Sequence, residues 1–178
     1  MESFNIFTDG SALNNSKNAP GGAAVLFVNT PLLISCSKYG TNNIHELNAI
    51  RYALRTSLNN LSKFNIKNTI NLYTDSEYSI NVIMGIYKAK ANIELIEKCR
   101  YYLNELKKHH ITVVFHHVRA HTNKTDAKSF CNDIVDKAAN KAAMELSENK
   151  VERIWSIIQL DSSVLKRLTD IDFLTEFK

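Results

Sequence analysis

The chain is predicted to fold as a mixed α/β domain: a five-stranded sheet, three antiparallel strands then two parallel additions, flanked by helices on both faces. Three observations predict it. Residues 3–40 hold three short β-like runs separated by turn signals, with no helical period among them. Beyond them, apolar residues recur at three- and four-residue steps. These helical segments alternate with short runs rich in Ile, Val and Thr, the pattern of parallel strands joined through helices.

Phe4, Ile6 and Thr8 alternate with Asn5, Phe7 and Asp9, a first strand ending at a carboxylate. Asn14 to Gly22, built of Asn, Ser, Pro and Gly, is a loop. Residues 23–28 and 32–37 then form two strands around the turn Asn29-Thr30-Pro31. Leu47, Ile50, Ala53, Leu54, Leu58 and Leu61 keep helical spacing, and the preceding Asn residues can cap that helix. Thr69 to Tyr73 is a fourth strand with Asp75 just past its end, followed by a short helix over about 77–86. Ile93, Ile96, Leu103 and Leu106 predict a further helix, residues 111–118 a fifth strand, and the Ala-rich segment 128–148 the last helix of a 1–148 domain. Residues 149–178 are too apolar for a disordered tail. They are expected to form a hydrophobic C-terminal helical extension packed on the domain, with a docking or dimer surface, or extra substrate contact, as the alternative.

Composition narrows the function classes. At 178 residues, with 44% hydrophobic and 22% charged residues, the chain fits one globular domain with a real core. No uninterrupted apolar stretch approaches the roughly 20 residues that cross a bilayer, and Met1 to Asn5 lack the basic start and apolar core of a secretion signal. A cytoplasmic or nuclear, non-secreted protein without a membrane partner is expected. Cys36, Cys99 and Cys131 show neither an even count nor CxxC spacing, which points to three reduced thiols. The net charge of +4 permits a polyanionic partner without requiring one.

The chemistry lies in four acids, each in a distinct setting: Asp9 in Thr8-Asp9-Gly10-Ser11, Glu46 in Thr41-Asn42-Asn43-Ile44-His45-Glu46, Asp75 in Thr74-Asp75-Ser76, and Asp136 in Asn132-Asp133-Ile134-Val135-Asp136. Each alone reads as a turn residue or a solubilising charge. Together, at the ends of strands and on helices that one fold could bring into contact, they would make a cleft of hard oxygen ligands suited to magnesium. Asp133 and Asp126 lie near enough to Asp136 for the fourth assignment to slip.

The order Asp-Gly-Ser, Thr-Asn-Asn-x-x-Glu-Leu, Thr-Asp-Ser-x-Tyr, then His and Asn-x-x-x-Asp resembles the type 1 ribonucleases H over roughly residues 3–147. The resemblance implies hydrolysis of the RNA strand of RNA/DNA hybrids by a two-metal-ion mechanism, leaving 3'-hydroxyl and 5'-phosphate ends. It implies two Mg2+ ions, with Mn2+ as a substitute, held by Asp9, Glu46, Asp75 and Asp136. His121 matches the family's loop histidine, which assists proton transfer or product release. Ser11, Asn15 and Asn43 match groups near the RNA 2'-hydroxyl, the group that separates RNA from DNA. Thr41, Asn42 and Asn92 match contacts to the substrate backbone.

Two departures stand out. Glu77 occupies a substrate-side position where some members carry a neutral amide, adding a negative charge. The short interval from Asp75 to Asn92 leaves no room for the basic protrusion of some bacterial members. Lys88 and Lys90, with Lys98, Arg100, Lys107 and Lys108, offer either a phosphate-gripping strip or a solvated face. In lacking the protrusion the chain is similar to the ribonuclease H domains attached to reverse transcriptases, which implies a replication or reverse-transcription partner, or to compact members that bind through another terminal segment, a role residues 149–178 could fill. Two other readings stay open: a junction resolvase or DNA-directed nuclease on the same fold, and a non-catalytic nucleic-acid-binding module.

Overall fold

The computed structural model describes residues 3–119 and 125–177. Its twelve elements run β1 (Phe4–Ala12), β2 (Pro20–Phe27), β3 (Leu32–Tyr39), α1 (Asn42–Asn59), β4 (Thr69–Thr74), α2 (Glu77–Ile83), α3 (Ile93–Lys108), β5 (Thr112–His117), α4 (Ala127–Asn149), β6 (Arg153–Ile158), α5 (Ser162–Leu168) and α6 (Ile171–Thr175). The strands form one sheet in the order β5-β4-β1-β2-β3-β6. β1 is antiparallel to β2 and parallel to β4, and β5 is parallel to β4, as the sequence predicts.

Alternation along β1 sends successive side chains to opposite faces. Phe4 and Ile6 join the core beneath α1, α2 and α3, with Leu47, Ile50, Leu54, Leu72, Ile96 and Leu106. Phe7 faces the other core with Leu26, Tyr73, Cys131, Val135 and Ala139, under α4. The alanines of α4 let it approach closely: a Cβ on Gly22 of β2 would meet the Ala139 carbonyl oxygen at 2.2 Å.

The sheet has six strands rather than the five expected. Residues 149–178 are not all helical: β6 pairs antiparallel with the outer edge of β3, and only then do α5 and α6 follow. An open edge of unpaired backbone groups and a β-branched, aromatic segment suit each other. The strand escaped its sequence signal because the register between β3 and β6 shifts at Ser35/Ser37, which breaks the alternation. Trp155 stacks on Tyr52 of α1 at 4.0 Å, and Arg153 donates to the carbonyl and hydroxyl oxygens of Ser35, each at 2.8 Å. Farther on, Leu168, Phe173 and Phe177 extend the core under α4, and Phe177 meets Phe7 and Tyr73 edge-on.

Local details differ from expectation in three further places, the first being that β2 begins at Pro20, inside the expected loop. The side chain capping α1 is Thr41, whose Oγ1 accepts from the Ile44 amide at 3.4 Å; Asn42 and Asn43 are already helical. β1 continues past Asp9 to Ala12, because Gly10 and Ser11 still pair with β2. The three cysteines are free and buried. Among the described residues, no helix is long and apolar enough to cross a membrane.

Candidate active site

The cleft opens where β1 and β4 run side by side. Thr8 pairs with Thr74 in the parallel register, so Asp9 and Asp75, each one residue further on, leave adjacent strands together. Glu46 reaches the same place from the start of α1, because Gly10 lets that helix lie on the strand: a Cβ on Gly10 would stand 2.3 Å from the Glu46 amide nitrogen. Ligand oxygens of Asp9, Glu46 and Asp75 lie within 4.8 Å of one another. Asp136 enters from α4 on the opposite side, and the four acids line one open cleft of about 340 Å³ with Gly10, Ser11, Asn42, Ser76 and Asn140.

Electrostatics make this a demanding arrangement. Asp9 is only 2% exposed and Glu46 3%. Burial, reinforced first by the Asp75 charge, pushes the Asp9 carboxyl up to about 9. Burial together with Asp9 and Asp75 holds Glu46 well above the usual carboxylate range. The Asp136 charge raises Asp9 further, as a like charge nearby must. The second carboxyl oxygen of Glu46 is buried with no hydrogen-bond partner among the described residues. A cation fits all of this: it satisfies the orphaned oxygen and cancels the repulsion. The all-oxygen donor set suits hard divalent ions such as magnesium or manganese.

The structure separates the expected residues into two groups. Ser11 and Asn42 line the cleft with the four acids. Asn15 lies in the exposed β1–β2 loop, Thr41 caps α1, Asn43 is exposed on its first turn, Glu77 opens α2 on the surface, and Asn92 starts α3 with a left-handed backbone; none of these lines the cleft. His121 lies outside the described residues. Asp133 faces solvent and pairs with Lys137 at 2.8 Å, so the carboxylate that α4 turns to the cleft is Asp136. Of the basic strip, Lys98 and Lys108 pair with Glu94 and Glu105, and Arg100 donates to the carbonyls of Val82 and Ile83 at the end of α2.

Sequence reasoning missed Ser76, Asn140, His45 and His117. Ser76 caps α2 and lines the cleft beside Asp75. Asn140 stands one helical turn after Asp136, a spacing that could have marked it as a neighbour. His45, in the first turn of α1, is fully buried against Gly21, with Nε2 3.2 Å from the Gly40 carbonyl. His117 Nε2 lies 3.2 Å from the backbone oxygen of Asp75.

Fold and cleft thus define an α/β domain whose convergent carboxylates are fitted to divalent cations. The RNase H family model matches residues 1–144, and the chain belongs to that family. A comparison with curated proteins gave no significant match. Among solved structures, LC9-RNase H1, described as a type 1 RNase H with the type 2 active-site motif, shares 18% identity at a TM-score of 0.60, over 98% of this chain and 84% of its own. RNase H1 from the halophilic archaeon Halobacterium salinarum NRC-1 shares 20% at 0.58, over 81% of this chain and 99% of its own. LC11-RNase H1, solved in complex with an RNA/DNA hybrid, shares 24% at 0.57, over 80% of this chain and 97% of its own. At these identities the likeness establishes a common fold.

Proposed function

We propose that this RNase H family member is an endonuclease that hydrolyses the RNA strand of RNA/DNA hybrids and leaves 3'-hydroxyl and 5'-phosphate ends. The observation that carries the reading is the convergence of Asp9, Glu46 and Asp75 within 4.8 Å, with Asp136 on the same cleft. The hybrid-bound LC11 relative supports the substrate class.

Asp9, Glu46, Asp75 and Asp136 would hold two Mg2+ ions, with Mn2+ as a substitute. Bound there, the ions supply Lewis acidity to the attacking water and to the departing 3'-oxygen. Everything else falls to the chain. Asp9 would be the ligand common to both ions, since Glu46, Asp75 and Asp136 all lie near enough to act on it. Burial of Asp9 and Glu46 removes competing water, so their carboxylates act in a low dielectric where charge interactions strengthen. Ser11 and Asn42, at the cleft itself, would offer donors and acceptors to the RNA strand, and Asn15, Thr41, Asn43, Glu77 and Asn92 would meet the hybrid outside it. His121 serves as the proton donor to the leaving oxygen or assists product release. A polymerase of replication or reverse transcription is the partner class that generates such hybrids.

The test incubates the full chain with end-labelled RNA/DNA hybrid, double-stranded RNA, duplex DNA and a four-way junction, each with magnesium, manganese or chelator. Metal-dependent cleavage confined to the RNA strand of the hybrid, abolished by Asp9→Asn or Asp75→Asn, is expected. Cleavage of the junction or of DNA instead would reassign the substrate, and full turnover by either variant would overturn the site.

A further inference from the structure

We propose that Asn140 is a positioning residue that holds the Asp136 carboxylate toward Asp9 through a relay from Ser11 to Asn140 to Asp136. The proposal rests on the reading of Asp136 as an ion ligand. Asp9 and Glu46 are fixed by burial, whereas Asp136 projects half-buried from a helix face and needs something to stop it rotating into solvent.

Asn140, one turn along α4, faces Asp136 on one side and β1 on the other. A carboxylate oxygen is met by a donor, and the amide atom turned toward Asp136 is the nitrogen. Nδ2 of Asn140 accordingly donates to Oδ1 of Asp136 at 3.4 Å. That choice fixes the rest of the amide: its oxygen points the other way and must receive a proton, and the Ser11 hydroxyl donates to it. Ser11 stands two residues after Asp9 on the same face of β1. Two hydrogen bonds therefore tie the helix-borne carboxylate to the strand that carries Asp9. Asn140 is itself exposed, so core packing does not explain its place.

Ion sites tolerate displacements of only about 0.5 Å in their ligands, and partners that orient a ligand are typically worth about 10–100-fold in metal affinity. The experiment titrates Mn2+ into the full chain without nucleic acid and follows the free-ion signal by electron paramagnetic resonance. It compares wild type with Asn140→Ala, Ser11→Ala, the double variant and Asp136→Asn. Asn140→Ala is expected to weaken binding about tenfold, and Ser11→Ala to act in the same direction with a smaller effect. The double variant should bind no worse than Asn140→Ala alone, because Ser11 acts through Asn140. Unfolding midpoints in chelator should match the wild type, which separates positioning from folding. Wild-type Mn2+ affinity in Asn140→Ala, beside weakened Asp136→Asn, would overturn the relay, as would additive losses in the double variant. Wild-type affinity in Asp136→Asn would instead overturn the ligand reading beneath it.

Discussion

Replacing Gly10 by alanine probes fold and site with one methyl group. The added Cβ would stand 2.3 Å from the Glu46 amide nitrogen, 2.4 Å from the His45 carbonyl carbon and 2.8 Å from the His45 Cβ. The first two are backbone atoms, so no side-chain rotation relieves the clash. Ordinary van der Waals contact begins near 3.4 Å, and β1 and α1 must therefore part by about 1 Å. Overpacking of this kind costs about 1–3 kcal/mol, and collision with backbone places Gly10→Ala near the upper end. About 3 kcal/mol lowers the unfolding midpoint of a chain this size by roughly 6–12 °C. The displacement also separates Asp9 from Glu46. Misplacement by about 1 Å at a reacting centre can cost roughly 100-fold in rate. Thermal unfolding in chelator, paired with hybrid cleavage at saturating magnesium and a temperature where the variant stays folded, reads both effects. A variant that unfolds and cleaves like the wild type would refute the idea that Gly10 sets the contact between strand and helix.

Further outcomes follow from the same geometry. Folded Asp9 keeps its proton up to about 9, whereas an unfolded aspartate releases it near 3.9, so between those values the unfolded state binds fewer protons and stability falls as pH rises. In chelator the midpoint should therefore drop from pH 5 to pH 9, and Asp9→Asn should flatten the slope; a flat wild-type profile would contradict the buried-carboxyl account. Magnesium should raise the wild-type midpoint most at the alkaline end, where the acids are ionised, and a uniform rise would argue against binding at these carboxylates. Asp133→Asn should leave cleavage near the wild-type rate while Asp136→Asn lowers it at least tenfold, since Asp133 only pairs with Lys137 in solvent; the reverse result would move the fourth ligand. Phe173→Ala, at a side chain 5% exposed in the core under α4, should cost about 3 kcal/mol in a denaturant titration. A change below about 0.5 kcal/mol would mean that the last helices are not part of that core.

Much of the fold was legible because its signals are local. The meander, the amphipathic α1 and α3 and the Ala-rich α4 each carry their own period, and the observed elements fall on those segments. The exception is instructive. Residues 153–158 form a strand only because the edge of β3 was free to receive one, and the register shift there erased the alternation that would have announced it. The first turn of α1 shows the same limit on a smaller scale: Asn42, Asn43 and Thr41 are all competent caps, and in the folded chain the cap is Thr41.

For the site, the sequence by itself determined which acids belong together, because Asp9, Glu46, Asp75 and Asp136 sit in short motifs whose order places the chain in one family. Their distances, protonation and supporting groups were decided by tertiary structure alone. Glu46 meets Asp9 because Gly10 removes a side chain between strand and helix, and Asp136 rather than Asp133 faces the cleft because of how α4 is rotated on the sheet. Asn140 joins Ser11 across 129 positions of sequence. Local motifs are written in neighbouring residues, whereas electrostatic and hydrogen-bond coupling depends on distances that only the packed chain defines.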